Sequence, residues 1–308
     1  MNIKNNKKQA NADFLRESDE AVAGIIVAVM IVGLVIAVIS LIQTVYIPRW
    51  MEEREAAHMM QVNDQFAQLK YMLDTLAATH QSTPMSTSIT LGSKELGFLS
   101  SARAFGHLQV YPDDWYLVVS ASGPQYEFYC STLKYSSENA YYINQNYIYE
   151  TGAMVLEQSD GSVFIASPSI SASLDTTSTP RVLTISIDMV NLNVSTGKIS
   201  IGGYGTYPIQ ARFIRVRNPN LQPINNVDKL EITTKYPKLW MDFLDTVLSD
   251  AGLTKEQQQP PDPGEYKITS NNNLVTVEFG VDPAAFVINL EYQMTDIDLQ
   301  LAPGWVKK

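Results

Sequence analysis

The sequence predicts an α+β fold that is mainly β: a long N-terminal transmembrane and stalk helix, followed by a β-sandwich-like extracellular domain with one inserted helix. Three observations predict this class. An uncharged apolar run extends from Ala21 to Pro48, apolar residues then recur at helical spacing as far as Ala78, and extended periodicity begins at Ile89. We expect a charged leader or tail, a transmembrane helix, an amphipathic stalk helix and a β-rich extracellular domain, over residues 1–20, 21–48, 49–80 and 88–302.

Composition and charge limit what the chain does. Of its 308 residues, 45% are hydrophobic and 18% are charged, as in globular proteins. Residues 81–308 carry 15 basic and 23 acidic side chains, which argues against nucleic acid as a partner. The single cysteine, Cys130, excludes an intramolecular disulfide, and its place in a strand pattern predicts burial. With only three histidines as well, we expect no metal site and no cofactor.

The run from Ala21 to Pro48 has 28 residues and no charged side chain. About 20 apolar residues span a bilayer, whereas a secretory signal has an apolar stretch of about 7–15 residues, so we expect a single membrane span. Flanking basic residues set the orientation of a span. They predict a cytoplasmic N-terminus and an extracellular C-terminal domain at the cell membrane, because four basic residues precede the span and two closely follow it: Lys4, Lys7, Lys8 and Arg16, then Arg49 and Arg54.

Beyond the span, apolar residues recur at steps of 3, 4, 3, 4 and 3, which is the spacing of a heptad seam. Pro48 either kinks the helix or begins a new helical turn. The seam packs either on the β-domain that follows or against other copies of the chain. Both alternatives stay open, with a slight preference for the β-domain at Leu69–Leu76. The seam consists of Met59, Val62, Phe66, Leu69, Leu73 and Leu76.

The rest of the chain predicts many short strands and one helix. Asp160-Gly161 between two apolar runs predicts a tight hairpin, and Gly202–Gly205 predicts a turn. A helix is expected over Leu239–Leu248, with Pro237 near its start and Gly252 at its end. Strands are expected at 115–119, 126–130, 147–149, 153–156, 162–165, 182–190, 198–201, 209–216, 229–234, 266–269, 274–279, 286–290 and 296–301.

Motifs for catalysis are missing from the sequence. It has no Gly-x-Ser-x-Gly, phosphate-binding loop or metalloprotease helix, so we expect no enzyme and assign no catalytic or cofactor-binding residue. The acidic pairs Asp113/Asp114 and Asp296/Asp298 lack the spacing of a calcium loop, and we expect solvated loop charges. Asn193 begins the one Asn-x-Ser/Thr triplet and is the candidate N-glycosylation site.

The N-terminal residues carry a resemblance. A basic tail, Ser18-Asp19-Glu20 and an apolar helix that opens with Ala21-Val22 together resemble an archaeal type IV pilin-like precursor with a class III signal peptide. The Ser-Pro-Val-Ile-Gly run common in that family is replaced by Ala23–Val27. The resemblance implies cleavage by prepilin peptidase between Glu20 and Ala21, and an apolar helix that packs in a filament core.

The β-domain is similar to an uncharacterised family of archaeal surface proteins with β-rich ectodomains. That family implies an exported head on a pilin-like stalk, with no known activity. The stretches that carry the similarity are Leu91–Leu96, Tyr141–Gln145, Tyr147–Gly152 and Gly203–Thr206.

Two hypotheses on function follow. The first is an archaeal pilin-like, membrane-anchored surface protein with a structural, filament-associated or adhesive role. The alternative is a membrane-tethered extracellular receptor or carbohydrate-binding module that does not polymerise. The expected partners are membrane lipid, further copies or other pilin-like subunits, and prepilin peptidase, while the extracellular ligand stays open.

Overall fold

One continuous helix, α1 (Ala23–Thr79), carries the chain into a β-rich domain. The computed structural model describes residues 23–93, 104–195, 197–256 and 261–302. We call residues 23–46 of α1 its inner half, residues 47–79 its outer half, and the β-rich domain from residue 85 onward the head. The fold class predicted from the sequence is confirmed, since the head is built mainly from strands and contains one helix, α2 (Pro237–Asp250).

Two local features shape α1. At Ile42–Tyr46 it makes a π-helical turn, and α-helix resumes over Ile47–Thr79 with Pro48 in its first turn. Proline has no N–H to donate to the carbonyl four residues earlier, and the wider π turn lies directly before it. His80 ends the helix in a left-handed conformation, and its N–H bonds to the carbonyl of Leu76 at 3.0 Å.

The head contains sixteen strands among the residues that the structure describes, and they form two sheets. Their bounds are β1 (Met85–Thr90), β2 (Phe105–Ala121), β3 (Gln125–Glu138), β4 (Asn146–Glu150), β5 (Ala153–Gln158), β6 (Gly161–Ala166), β7 (Ser169–Asp175), β8 (Arg181–Asn193), β9 (Ser200–Gly203), β10 (Thr206–Arg217), β11 (Ile224–Asn225), β12 (Val227–Thr233), β13 (Thr254–Lys255), β14 (Glu265–Asn271), β15 (Leu274–Phe279) and β16 (Phe286–Leu301).

The smaller sheet has the order β1-β10-β16-β8-β7, and β11 also pairs with β16. Its centre is a long parallel pair, in which β16 runs beside β8 from the Phe286–Arg181 pair to the Asp298–Asn193 pair. The larger sheet has the order β13-β14-β15-β12-β2-β3-β4-β5-β6, with β9 beside β2. Its pairs are antiparallel except for β13 with β14.

Side chains from both sheets meet in two hydrophobic clusters, as in a β-sandwich. The first cluster also takes in α2, where the ring of Trp240 lies 5.4 Å from that of Trp115 on β2. The second cluster takes in the outer half of α1. The helix is therefore a structural part of the head rather than a rod attached to it.

Most of the predicted elements are present, and the differences concern where strands and turns begin and end and which short strands exist. The two strands expected at 286–290 and 296–301 are one strand, β16. The sequence does not predict β7, β11 or β13, and it predicts extended structure only from Ile89, near the end of β1. In the stretch expected as a turn, Gly202 and Gly203 end β9, so only Tyr204 and Gly205 lie between strands. The helix ends at Thr79, one residue beyond the expected end.

Candidate functional site

The inner half of α1 has no protein around it. Most of its large apolar side chains are 41–69% exposed, and its most apolar 18-residue window has a mean hydropathy of 3.3 with none of it buried. Exposed apolar surface on this scale needs an apolar environment. Among the described residues, α1 is the one helix that is long enough and apolar enough to cross a membrane.

The C-terminal end of the uncharged run carries residues suited to a membrane interface. The rings of Tyr46 and Trp50 lie 5.9 Å apart, and both are partly exposed. Tyr and Trp are enriched where a bilayer meets water. Arg49, the first charged residue after the run, lies between them in the chain. This end of the run therefore has the residue types that suit a membrane–water interface.

The seam of the outer half packs on the head. Its six residues are 0–2% exposed and share one cluster with residues from strands of both sheets. The ring of Phe66 lies 5.6 Å from that of Tyr147 on β4 and 6.2 Å from that of Tyr135 on β3. Fully burying each such side chain contributes about 1.5–3 kcal/mol. Of the two alternatives for the seam, the structure contains the intramolecular one.

A buried carboxylate joins the head to the outer half of α1 shortly after the uncharged run. Glu55 lies four residues before the seam residue Met59 and is fully buried. Its carboxylate accepts three backbone N–H bonds from the loop between β3 and β4, at 3.1 Å from Ala140, 2.8 Å from Tyr141 and 2.7 Å from Tyr142. Hydrogen bonds to an ionised acceptor are among the strong ones in proteins. Sequence reasoning missed Glu55, although an acidic residue at seam spacing is a usable signal.

A second polar layer joins α1 to the end of β1. His58 Nε2 donates to the carbonyl oxygen of Thr90 at 2.9 Å, and burial lowers the pKa of His58. Gln65 makes a two-way contact, because its Oε1 accepts the N–H of Thr90 at 2.7 Å and its Nε2 donates to Thr90 Oγ1 at 3.1 Å. These bonds hold the edge strand β1 beside the helix.

A cavity of about 570 Å³ opens between the far end of α1 and the two sheets. Lys70 and Asp74 pair across one helical turn at 2.6 Å on its wall. On another wall, Gln293 Nε2 lies 3.2 Å from His80 Nε2. Asp188 also lines the cavity and accepts a bond from Ser169. The size and the mixed donors and acceptors suit a small polar molecule.

The expectation that Asp296 and Asp298 are solvated loop charges is wrong. Both lie on β16 and are almost fully buried. Arg215 Nε and Arg217 Nε donate to Asp296 Oδ2 at 2.8 and 2.9 Å, and Arg212 lies 3.5 Å from Asp298. Burial acts to raise the pKa of Asp296, but its bonds from these arginines and from a neighbouring amide outweigh burial and lower it. The two aspartates of β16 thus form ion pairs with the arginines of β10.

Asp113 and Asp114 lie at an irregularity in β2 rather than in a separate loop. The register between β2 and β3 shifts between Tyr111 and Trp115, and Asp113 has a φ of 51°. Asp114 Oδ2 accepts bonds from Thr132 and Lys235. The Asp114 carboxylate therefore has two hydrogen-bond partners within the head.

A buried acid, Glu150, lies at the end of β4 and contacts Trp240 of the first cluster. It is 1% exposed, and its two oxygens accept bonds of 2.8 Å from Thr234 Oγ1 and from Trp240 Nε1. Burial raises the pKa of Glu150 to about 7. This carboxyl group therefore changes its protonation near neutral pH, inside the head.

One known family matches most of the chain. A family of unknown function, DUF7289, matches residues 21–282. The chain belongs to this family. The match includes both halves of α1 and the head as far as β15. No curated protein and no solved structure matches the chain.

Two predicted sites of this DUF7289 chain remain, the cleavage site and the glycosylation site. Glu20 and Ala21, at the candidate cleavage site, lie outside the described residues. Asn193 ends β8 and is half-buried, while Ser195 of the same triplet donates its N–H and its hydroxyl to Asp298 at 3.0 and 2.8 Å. Glycosylation of Asn193 stays a prediction.

Cys130 carries the one thiol of the chain. Cys130 is buried as expected, and burial raises the pKa of its thiol to about 12. A thiol in that state stays protonated and unreactive. Within residues 23–93, 104–195, 197–256 and 261–302, no group of three or more His, Cys, Asp or Glu side chains is placed to hold a metal ion.

Proposed function

We propose that the chain is a pilin-like, membrane-anchored cell-surface protein with a structural, filament-associated or adhesive role. Its N-terminus is cytoplasmic and its head extracellular. It acts through surfaces rather than through catalysis. Lipid surrounds the inner half of α1 before assembly, and further copies or other pilin-like subunits surround it in a filament.

One observation carries this proposal: a single continuous helix is bare and apolar over its inner half and built into its own head over its outer half. Such a chain holds its head rigidly, at a fixed distance from the apolar inner half of α1. The helix transmits force and orientation to the head because Glu55 and the seam fasten the two together. A flexible tether would do neither.

The proposal includes removal of residues 1–20 by prepilin peptidase. The change from a charged tail to an uncharged helix falls between Glu20 and Ala21, and the family match also begins at residue 21. Cleavage there would leave the apolar helix attached to the head with a free N-terminus at Ala21.

The mass and N-terminal sequence of the protein from native membranes test this step. We expect a chain that begins at Ala21. The control replaces Glu20 and Ala21 with proline, which removes backbone N–H groups and restricts φ at the cut, and we expect it to keep its tail. An intact terminus at Met1 or Asn2 on the unaltered surface protein would contradict the proposal. Labelling of surface filaments with an antibody to the head then tests assembly.

The cavity at the end of α1 favours a second candidate, a tethered receptor or carbohydrate-binding module that does not polymerise. A glycan array probed with the full chain in lipid nanodiscs tests it. Under this candidate, Asp188→Ala and Gln293→Ala abolish glycan binding, and a change outside the cavity, Tyr126→Ala, does not. Absence of glycan binding together with labelled filaments would leave the first proposal.

A further inference from the structure

The side of α1 that faces the head remains buried down to the membrane exit. Ile47 is 8% exposed and Met51 is fully buried. Both lie on the Glu55 face, at spacings of four residues. On the bare inner half, comparable side chains are 41–69% exposed, so a helix alone does not bury them. Parts of the protein outside α1 therefore cover the helix down to Ile47.

Ile47 belongs to the uncharged run, and Tyr46 and Trp50 mark the interface beside it. An α-helix rises about 1.5 Å per residue, so Glu55 lies about 8 Å beyond Trp50, the outer of the two interface residues. The polar layer of a bilayer adds about 5–8 Å on each side of the hydrocarbon core. The lower edge of the head therefore lies at the level of the lipid headgroups.

The loop at 139–145, between β3 and β4, lies at this edge, because its backbone is bonded to Glu55. It is also braced internally, since Asn139 donates to the side chain of Asn144 at 2.6 Å and to the carbonyl of Ile143 at 3.0 Å. The loop leaves Tyr141 41% and Ile143 50% exposed. An exposed Tyr and an exposed Ile on a braced loop suit the boundary between headgroups and acyl chains.

We propose that the 139–145 loop is a second membrane contact, which places Tyr141 and Ile143 in the headgroup layer around the span. The bilayer is the occupant of this surface because the surface continues the membrane exit of α1. The contact is apolar and aromatic, so it does not depend on anionic lipid. With the span it gives the protein two attachment points, which set the tilt of the head. The inference rests on the membrane placement of the span and is independent of cleavage and filament assembly.

Fluorescent labels on single introduced cysteines test the contact in the full chain. Ile143→Cys places a probe on the loop. Ile165→Cys places a matched probe on the edge strand β6, which lines a groove with α1 residues 63–74 and so lies far from the membrane. Cys130 is fully buried and remains unlabelled in the folded protein. The proteins are held at one copy per nanodisc, and lipids with a headgroup-attached quencher report on contact.

We expect quenching of the probe at position 143 to exceed that of the probe at 165 several-fold, in zwitterionic and anionic nanodiscs alike. Equal quenching at the two positions would overturn the proposal. A third probe at Val35→Cys, read with an acyl-chain quencher, reports on the span itself. Quenching there without quenching at 143 rejects the loop contact while leaving the anchor intact.

Discussion

The two halves of α1 have the same backbone and the same kinds of apolar side chain, but opposite surroundings. Leu34 and Leu41 in the inner half are 66% and 50% exposed, whereas Leu69 and Leu73 in the outer half are fully buried. An isolated helix buries only part of a leucine side chain. The difference in exposed fraction therefore shows whether other parts of the protein pack against each half. The head covers the outer half, and the inner half requires lipid or another apolar partner.

The patterns of the two halves differ accordingly. The inner half is apolar all round, as expected of a helix surrounded by an apolar medium. The outer half is apolar at intervals of three and four residues, with polar residues such as Asn63, Gln68 and Asp74 between. Periodicity thus distinguishes a helix with one protein-covered face from one in a uniform apolar environment.

Charging the inner half should give the largest effect. Replacing Val32 with Arg and Ile36 with Asp should each cost about 3 kcal/mol for insertion at the centre of a span. We expect the double variant to leave the membrane fraction while its head remains folded. Met60→Arg with Tyr71→Asp, on the exposed face of the outer half, is the matched control and should fractionate as the unaltered protein does. A double variant that stays wholly in the membrane would place the anchor elsewhere.

Truncating the seam tests the outer half. Phe66→Ala and Leu69→Ala should each lower the free energy of unfolding by about 2–5 kcal/mol, because each leaves a cavity in the head. Thermal unfolding of the full chain in detergent measures this, with mass followed by sedimentation. Met60→Ala and Tyr71→Ala, on the exposed face, should stay within about 0.5 kcal/mol. Lost oligomers with an unchanged melting temperature would instead assign the seam to contacts between copies.

Raising the pH should destabilise the head at a site away from α1, because Glu150 bonds to Trp240 of the first cluster. Its folded pKa is about 7 and its reference value is 4.5. The folded state therefore holds the proton more tightly, and the contribution of Glu150 is fully present below pH 4.5 and lost as pH rises through 7. The loss amounts to about 3 kcal/mol, at about 1.4 kcal/mol per pKa unit.

Glu150→Gln is the matched variant for this titration. Its amide can accept from Trp240 and donate to Thr234, and it does not ionise. The difference in stability between variant and unaltered protein should move in favour of the variant between pH 4.5 and 7. A difference that stays flat across this range would show that Glu150 does not titrate there.

Weakening the hydrogen bonds between Glu55 and the 139–145 loop should have the smallest effect. Glu55→Gln leaves one acceptor oxygen for three backbone N–H groups, and an unsatisfied buried polar group costs about 1–3 kcal/mol. Amide exchange of residues 139–145 should therefore quicken, and the rest of the head should change little. Glu53→Gln, one of the exposed acidic residues beside it, is the control. Unchanged exchange in the loop would mean that other contacts hold it.

Local patterns in the sequence predict an element well where residues close together in the chain determine its structure. Charge-free length identifies the span, spacing identifies the seam, and Asp160-Gly161 identifies the β5–β6 hairpin. These features depend on neighbours in the chain. The seam's partner is different: it is set by β-strands far along the chain, so spacing alone leaves two alternatives.

Buried charges were the hardest features to predict. Asp296 and Asp298 look like loop charges because an acidic pair is normally solvated, and only the antiparallel pairing of β10 with β16 brings the arginines to them. Glu55 is similar, since its partners are backbone groups 85–87 residues away. Backbone donors have no signature in the side-chain sequence. The cavity at the end of α1 likewise depends on how helix and sheets meet.

The central claim is that the outer half of α1 belongs to the folding unit of the head. Native-state amide exchange of the full chain in nanodiscs measures this most directly, by comparing residues 59–76 with the central strands β8 and β16. We expect the same opening free energy for all three segments, because they become exposed only when the head unfolds. Exchange in residues 59–76 that is much faster than in β8 and β16, and that slows as protein concentration rises, would contradict it.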